Sequence, residues 1–190
     1  MNQVDRTGLS CQKADGNKCD PENEPKITRS EIIARAQYWV DHQPGPYYDP
    51  DNFAPGDNGF SPGPGDGRVY RRDCSGYVSM AFHLSWSAST YTLPYYGEKI
   101  DRSQLQAGDI LNSTTEHVLL FHKWLDDKGN FEYYSFGATP VKRVTANIND
   151  PTLDSHANGN YQAYRYVNVV DDPPPAPGVI GNAAGRSPFS

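Results

Sequence analysis

The helical signatures in this chain come before a long run of strand signatures. That segregation limits the fold to helices laid against a separately built antiparallel sheet. Thr28-Arg29-Ser30-Glu31 reads as a capping box, with Thr28 as N-cap and Glu31 reaching back. Ile32, Ala36, Trp39 and Val40 follow at helical spacing and predict a first helix over 29–41. A second helix is expected over 74–83, with Tyr77, Val78, Ala81 and Phe82 as its apolar stripe. Strand patterns then cover 109–111, 116–124, 131–136, 141–145 and 161–170. Asp126-Asp127-Lys128-Gly129-Asn130 supplies a hairpin turn between the second and third of these. The expected class is α+β, with N-terminal helices packed on an antiparallel sheet of about five strands.

With 190 residues the chain is long enough for one domain with its own core. Aliphatic residues are scarce, but 13 Tyr, 7 Phe and 3 Trp supply large surfaces to bury. The domain is expected over 26–170. An irregular polar arm over 1–25 precedes it, and a Pro/Gly-rich flexible tail over 171–190 follows. Between 44 and 67, Gly and Pro are so frequent that no helix or central strand should persist. This long loop leads straight to Cys74 and is expected to wall a cleft. Its acids Asp49, Asp51, Asp57 and Asp66 do not follow the spacing of a calcium-binding hand. No cluster suggests zinc either, so neither a metal nor another cofactor is expected.

A net charge of −6 gives no basic field to attract nucleic acid or an anionic membrane. No apolar run reaches the roughly 18 residues a membrane span needs. The first residues, Asn2, Gln3, Val4 and Asp5, do not form a signal h-region, so an exported chain would have lost its signal or use a non-standard route. A monomer is expected.

Three cysteines are present. Cys11 and Cys19 lie close together in a turn-rich segment that can close as a disulfide, which favours a secreted setting. Cys74 is then the odd thiol, and it sits where a helix should begin. The unpaired N–H groups of a helix N-terminus favour a thiolate and can hold an oxyanion. The competing role for Cys74 is that of a small buried helix residue. The flanking Asp73 and Ser75, both N-cap types, fit either role.

A thiol nucleophile needs a base within hydrogen-bond reach. Of five histidines, His83 falls about 180° around the second helix from Cys74, His42 ends the first helix, and His156 lies in a polar loop. His117 and His122 share one strand at odd spacing and so face opposite ways. His117 stands at the strand entry, with Leu119 and Phe121 on its own face, as expected for a strand packed on the second helix. The next strand should orient the imidazole, through Ser135 on one face or Glu132 on the other, and a carboxylate would orient it better.

At these residues the chain resembles the NlpC-type cysteine peptidases of bacterial cell walls, a branch of the papain-like clan. Four segments carry the resemblance in the family's order: Pro44-Gly45-Pro46-Tyr47, Asp73-Cys74-Ser75-Gly76-Tyr77-Val78, Leu105-Gln106-Ala107-Gly108-Asp109-Ile110 and His117-Val118-Leu119-Leu120-Phe121. They span about 28–145. Ile32-Ile33-Ala34-Arg35-Ala36-Gln37 and the Ser79-Met80-Ala81 extension are similar to secreted actinobacterial members in particular. The resemblance implies a papain-like fold, Cys74 as nucleophile, His117 as base, and Tyr47 near the oxyanion or substrate, beside Asp73 and Ser75. It departs at the third catalytic position. The family commonly has His, Asn, Gln or Glu there; a side-by-side reading places Ser135, with Glu132 available through a register shift.

The function expected on these grounds is cleavage of amide bonds in peptidoglycan stem peptides. A delivered toxin or an acyltransferase would use the same pair. A non-catalytic wall-binding module would instead use Trp86, Tyr91, Tyr95 and Tyr96 to stack on sugars or peptide.

Overall fold

A computed structural model describes residues 11–13, 16–42, 47–56 and 67–174. Two helices, α1 (Arg29–Asp41) and α2 (Cys74–Ala81), accompany twelve strands among these residues. In chain order the strands are β1 (Ile27–Thr28), β2 (Asp49–Pro55), β3 (Val69–Arg72), β4 (Gly97–Lys99), β5 (Ile110–Asn112), β6 (Val118–Trp124), β7 (Asn130–Ser135), β8 (Lys142–Asn147), β9 (Thr152–Leu153), β10 (His156–Ala157), β11 (Gln162–Tyr166) and β12 (Val169–Val170). Six of them form one antiparallel sheet in the order β4-β11-β5-β6-β7-β8. The class is mixed, with helices beside a mainly antiparallel sheet, as the element order requires. No helix among the described residues is long and apolar enough to cross a membrane.

Thr28 caps α1 by accepting the Glu31 N–H at 3.2 Å. The Glu31 carboxylate does not complete the box but turns to Arg35 Nε at 3.3 Å. Asp172 accepts the Ser30 N–H, so the first residues of the expected tail dock on the positive end of the helix. The inner face of α1 buries Ile32, Ala36 and Trp39. Trp39 stacks on Tyr77 of α2 at 5.6 Å, and Phe136 meets both rings edge-on at 6.1 Å. The Tyr77 hydroxyl donates to the Ala36 carbonyl at 2.6 Å, locking the two helices together. α2 is shorter than its apolar pattern predicts. Phe82 caps it and His83 takes a left-handed φ of 58°, which turns the chain away.

Period-two alternation divides the sheet residues between two cores. Val118, Leu120, Tyr134 and Phe136 join the helices in one; Leu119, Phe121, Phe131 and Tyr133 join Leu153, Tyr161 and Ala163 in the other. Leu119 and Phe121, expected against α2, therefore lie on the face away from the helices.

The sheet gains a sixth strand, β4, whose sequence Gly97-Glu98-Lys99 has no alternation to betray it. The expected strand over 161–170 divides into β11 and β12, and β12 pairs in parallel with β1. Part of the expected loop over 44–67 is also strand: β2 pairs with β3 in a two-stranded ribbon, with a register break between Asp49 and Phe53. Pro50 and Pro55 fit because a ribbon strand has an outer edge that needs no N–H donors. Pro44, Gly45, Pro46, Asp57 and Asp66 lie outside the described residues.

Cys11 and Cys19 form a disulfide with Cα atoms 5.3 Å apart. The arm is held by more than this link. The buried Glu24 carboxylate accepts the Ser85 N–H and hydroxyl at 2.6 Å each, and the Tyr166 hydroxyl donates to the Pro25 carbonyl at 2.8 Å.

Asp109, just ahead of β5, is fully buried and joins three parts of the chain. It accepts from Arg29 Nη1 at 3.1 Å, from Arg165 Nη2 at 2.8 Å and from the Gln106 N–H at 2.9 Å. Removing one partner of such a network strands the others. Asp109→Ala is expected to lower unfolding free energy by about 3 kcal/mol. Urea unfolding checks this as a lower midpoint at unchanged slope.

Candidate active site

The site begins at the first turn of α2. Asp73 caps the helix, its Oδ1 accepting the Gly76 N–H at 2.7 Å. Arg71 holds the cap from behind: Nε donates to Asp73 at 2.8 Å, and Nη2 donates to Ser75 Oγ at 2.9 Å and to the Ala88 carbonyl at 2.8 Å. Nη1 donates to the Ser87 carbonyl at 3.0 Å. Gly76 permits this approach, because a Cβ there would lie 2.0 Å from the Arg71 carbonyl oxygen. Asp73 and Ser75, named from sequence as substrate or oxyanion residues, thus spend their side chains fixing the helix start. Cys74, half-buried and the one free cysteine, is presented at that start.

His117 lies just ahead of β6 and is 3% exposed. Its Nε2 is 2.9 Å from Asp154 Oδ2 and 3.1 Å from Ser135 Oγ. The Ser135 hydroxyl donates to the same Asp154 oxygen, and Lys142 Nζ holds the other carboxylate oxygen at 2.9 Å. With Nε2 committed, Nδ1 is the ring nitrogen left for Cys74. Burial alone would pull the His117 pKa down. The hydrogen bond to Asp154, the interaction with Cys74 and the charges of both outweigh it and raise the pKa to about 9. Burial likewise disfavours the Asp154 carboxylate, but hydrogen bonds from His117, Ser135 and Lys142 hold it well below the usual range. The arrangement sets a buried histidine, with its charged form favoured, between Cys74 and a carboxylate.

Asp154 was not legible in the sequence. It occupies the two-residue turn between β9 and β10, where Asp154 and Ser155 both take left-handed φ values of 47° and 71°. Asp at the first position of such a turn is a known preference, but Ser in place of Gly at the second hides the pattern. His156, set aside above as a loop residue, lies on the His117 ring with centroids 4.9 Å apart and planes 21° from parallel.

Glu132 is not at this site. Its Oε1 is 2.6 Å from His122 Nδ1, and Oε2 is 3.4 Å from Arg143 Nε. Face and position both decide this: Glu132 shares the Tyr134 face of β7, opposite Ser135, and lies three residues back from it, about 10 Å along the strand. His122, the rejected base, is the histidine that Glu132 engages. Tyr47 is exposed, and it is the next residue, Tyr48, that senses the site. Partial burial raises the Tyr48 pKa, followed by the negative charges of Cys74 and Asp73. Its ring meets Phe136 edge-on at 5.8 Å, and its N–H donates to Thr139 Oγ1 at 2.7 Å. The four aromatics considered for stacking are not one surface. Tyr96 is fully buried and accepts the Trp86 Nε1–H at 2.7 Å, whereas Tyr91 is half-exposed.

No family model matches this chain, and no curated protein matches it.

The folded-state pKa of His117 exceeds its ordinary value of 6.5. Its charge therefore stabilises the fold fully below that value, and the contribution fades as pH rises through about 9. A ring-proton titration by NMR should give a His117 midpoint near 9. Asp154→Asn should lower that midpoint, because it removes the anion that keeps the buried ring charged.

Proposed function

We propose that this chain is a cysteine hydrolase that cuts amide bonds in peptidoglycan stem peptides. The observation that carries the reading is the single free thiol at the start of α2, which interacts with a buried histidine bonded to Asp154 through Nε2. The substrate class and the NlpC-type, papain-like assignment rest on the resemblance of the four motif segments. A helix-borne thiol beside a sheet-borne imidazole agrees with them. A secreted setting is supported by the Cys11–Cys19 disulfide.

In the proposed reaction Cys74 attacks the amide carbon as the thiolate, its proton already on His117, forming the C–S bond and placing the electron pair on the carbonyl oxygen. The Gly76 N–H is occupied by Asp73, so that oxyanion falls to the free N–H groups of the first turn and to the Tyr48 hydroxyl. His117 gives its proton to the leaving nitrogen as the C–N bond breaks. The neutral ring then takes a proton from water, the resulting hydroxide adds to the thioester, and the carboxylic product leaves as the C–S bond breaks. Asp154 holds the ring on axis through both steps.

Muropeptides incubated with the purified chain and analysed by mass spectrometry test the reading. Cleaved stem peptides are expected from the wild type and none from Cys74→Ala; equal cleavage by both would defeat it. Turnover should fall above about pH 9, where His117 loses the proton the leaving amine needs.

A further inference from the structure

One β-hairpin brings two side chains to His117. From the β9–β10 hairpin, Asp154 reaches the edge of the ring and His156 covers its face. The hairpin is a rigid mount. Leu153 is buried in the second core, and its carbonyl accepts the Tyr161 hydroxyl at 3.2 Å. Just beyond β10, the buried Asn158 donates to the Ile148 and Asp150 carbonyls at 2.8 and 2.7 Å, and accepts from Arg102 at 2.6 Å. His156 therefore has a fixed place against the imidazole that the proposed reaction charges and discharges.

We propose that His156 is a positioning residue for the Cys74–His117 pair, its ring supporting the His117 imidazolium by stacking. An aromatic face attracts a cation laid against it. The charged groups facing His156 are His117 at the β6 entry, Glu116 immediately before it and Asp154 on its own hairpin, with Lys142 of β8 on the far oxygen of Asp154. Glu116 is steadied by Asn160 Nδ2 at 2.9 Å and Ser113 Oγ at 3.1 Å, so it stays beside the hairpin as a fixed anion. The inference rests on the Cys74–His117 pairing and adds a residue that touches neither substrate nor thiol.

With Cys11 and Cys19 bonded to each other, Cys74 is the one thiol that iodoacetamide can alkylate, and its rate against pH reports the pair directly. Wild type and His117→Ala are compared first. Loss of reactivity at mildly acidic pH in the variant establishes the pair, and identical profiles would defeat both the pair and this proposal. Given the pair, His156→Ala should alkylate roughly tenfold more slowly at mildly acidic pH, and His156→Phe, which keeps a flat ring, should restore the rate. A His156→Ala profile that superposes on the wild type overturns the proposal while leaving the pair intact. Should His156→Ala not fold, His156→Leu, which fills the space without an aromatic face, takes its place, and a profile that superposes on the wild type overturns the proposal equally.

Discussion

A buried histidine loses its charge unless something repays the loss of solvent, and here that is the hydrogen bond from His117 Nε2 to Asp154. The proposed chemistry depends on this one interaction. It fixes which ring nitrogen is left for Cys74, and it favours the charged form of the ring. Ser135 meets the ring at Nε2 and also donates to the carboxylate, and Lys142 holds the other carboxylate oxygen, so that Asp154 can hold the ring.

The scaffold on the thiol side is built with comparable redundancy. Arg71 spans the cap residue Asp73, the first-turn Ser75 and the carbonyls of Ser87 and Ala88, so the start of α2 is pinned to the 87–88 segment. Gly76 lets the helix press against β3 with no side chain between them. On the histidine side, Gly137 has a similar use: a Cβ there would lie 3.0 Å from His117 Cε1 and 3.3 Å from Asp154 Oδ2. Helix start and strand entry are thus each set on backbone that leaves little latitude.

Much of this was readable from residue order. The Thr28 cap and the 3.6-residue period of Ile32, Ala36 and Trp39 give α1 its observed limits, and alternating apolar residues place β6 and β7. Cys74 and His117 could be paired because one begins a helix and the other a strand. The third group could not be found that way. Alternation leaves open which face of a strand turns to the site, and Glu132 fell on the face opposite Ser135 as well as three residues away along β7. Asp154 sits in the turn between two-residue strands too short to show any period, and the three-residue β4 escaped notice for the same reason. Leu119 and Phe121 misled because the strand behind His117 packs on both faces, and theirs is the face away from the helices.

The central claim is that Cys74 and His117 interact directly while Asp154 holds the ring. The His117 ring-proton titration, compared between wild type and Cys74→Ala, measures it most directly. The account predicts a lower midpoint in the variant, because the contribution of Cys74 to the raised His117 pKa is gone. Titrations that superpose would contradict it.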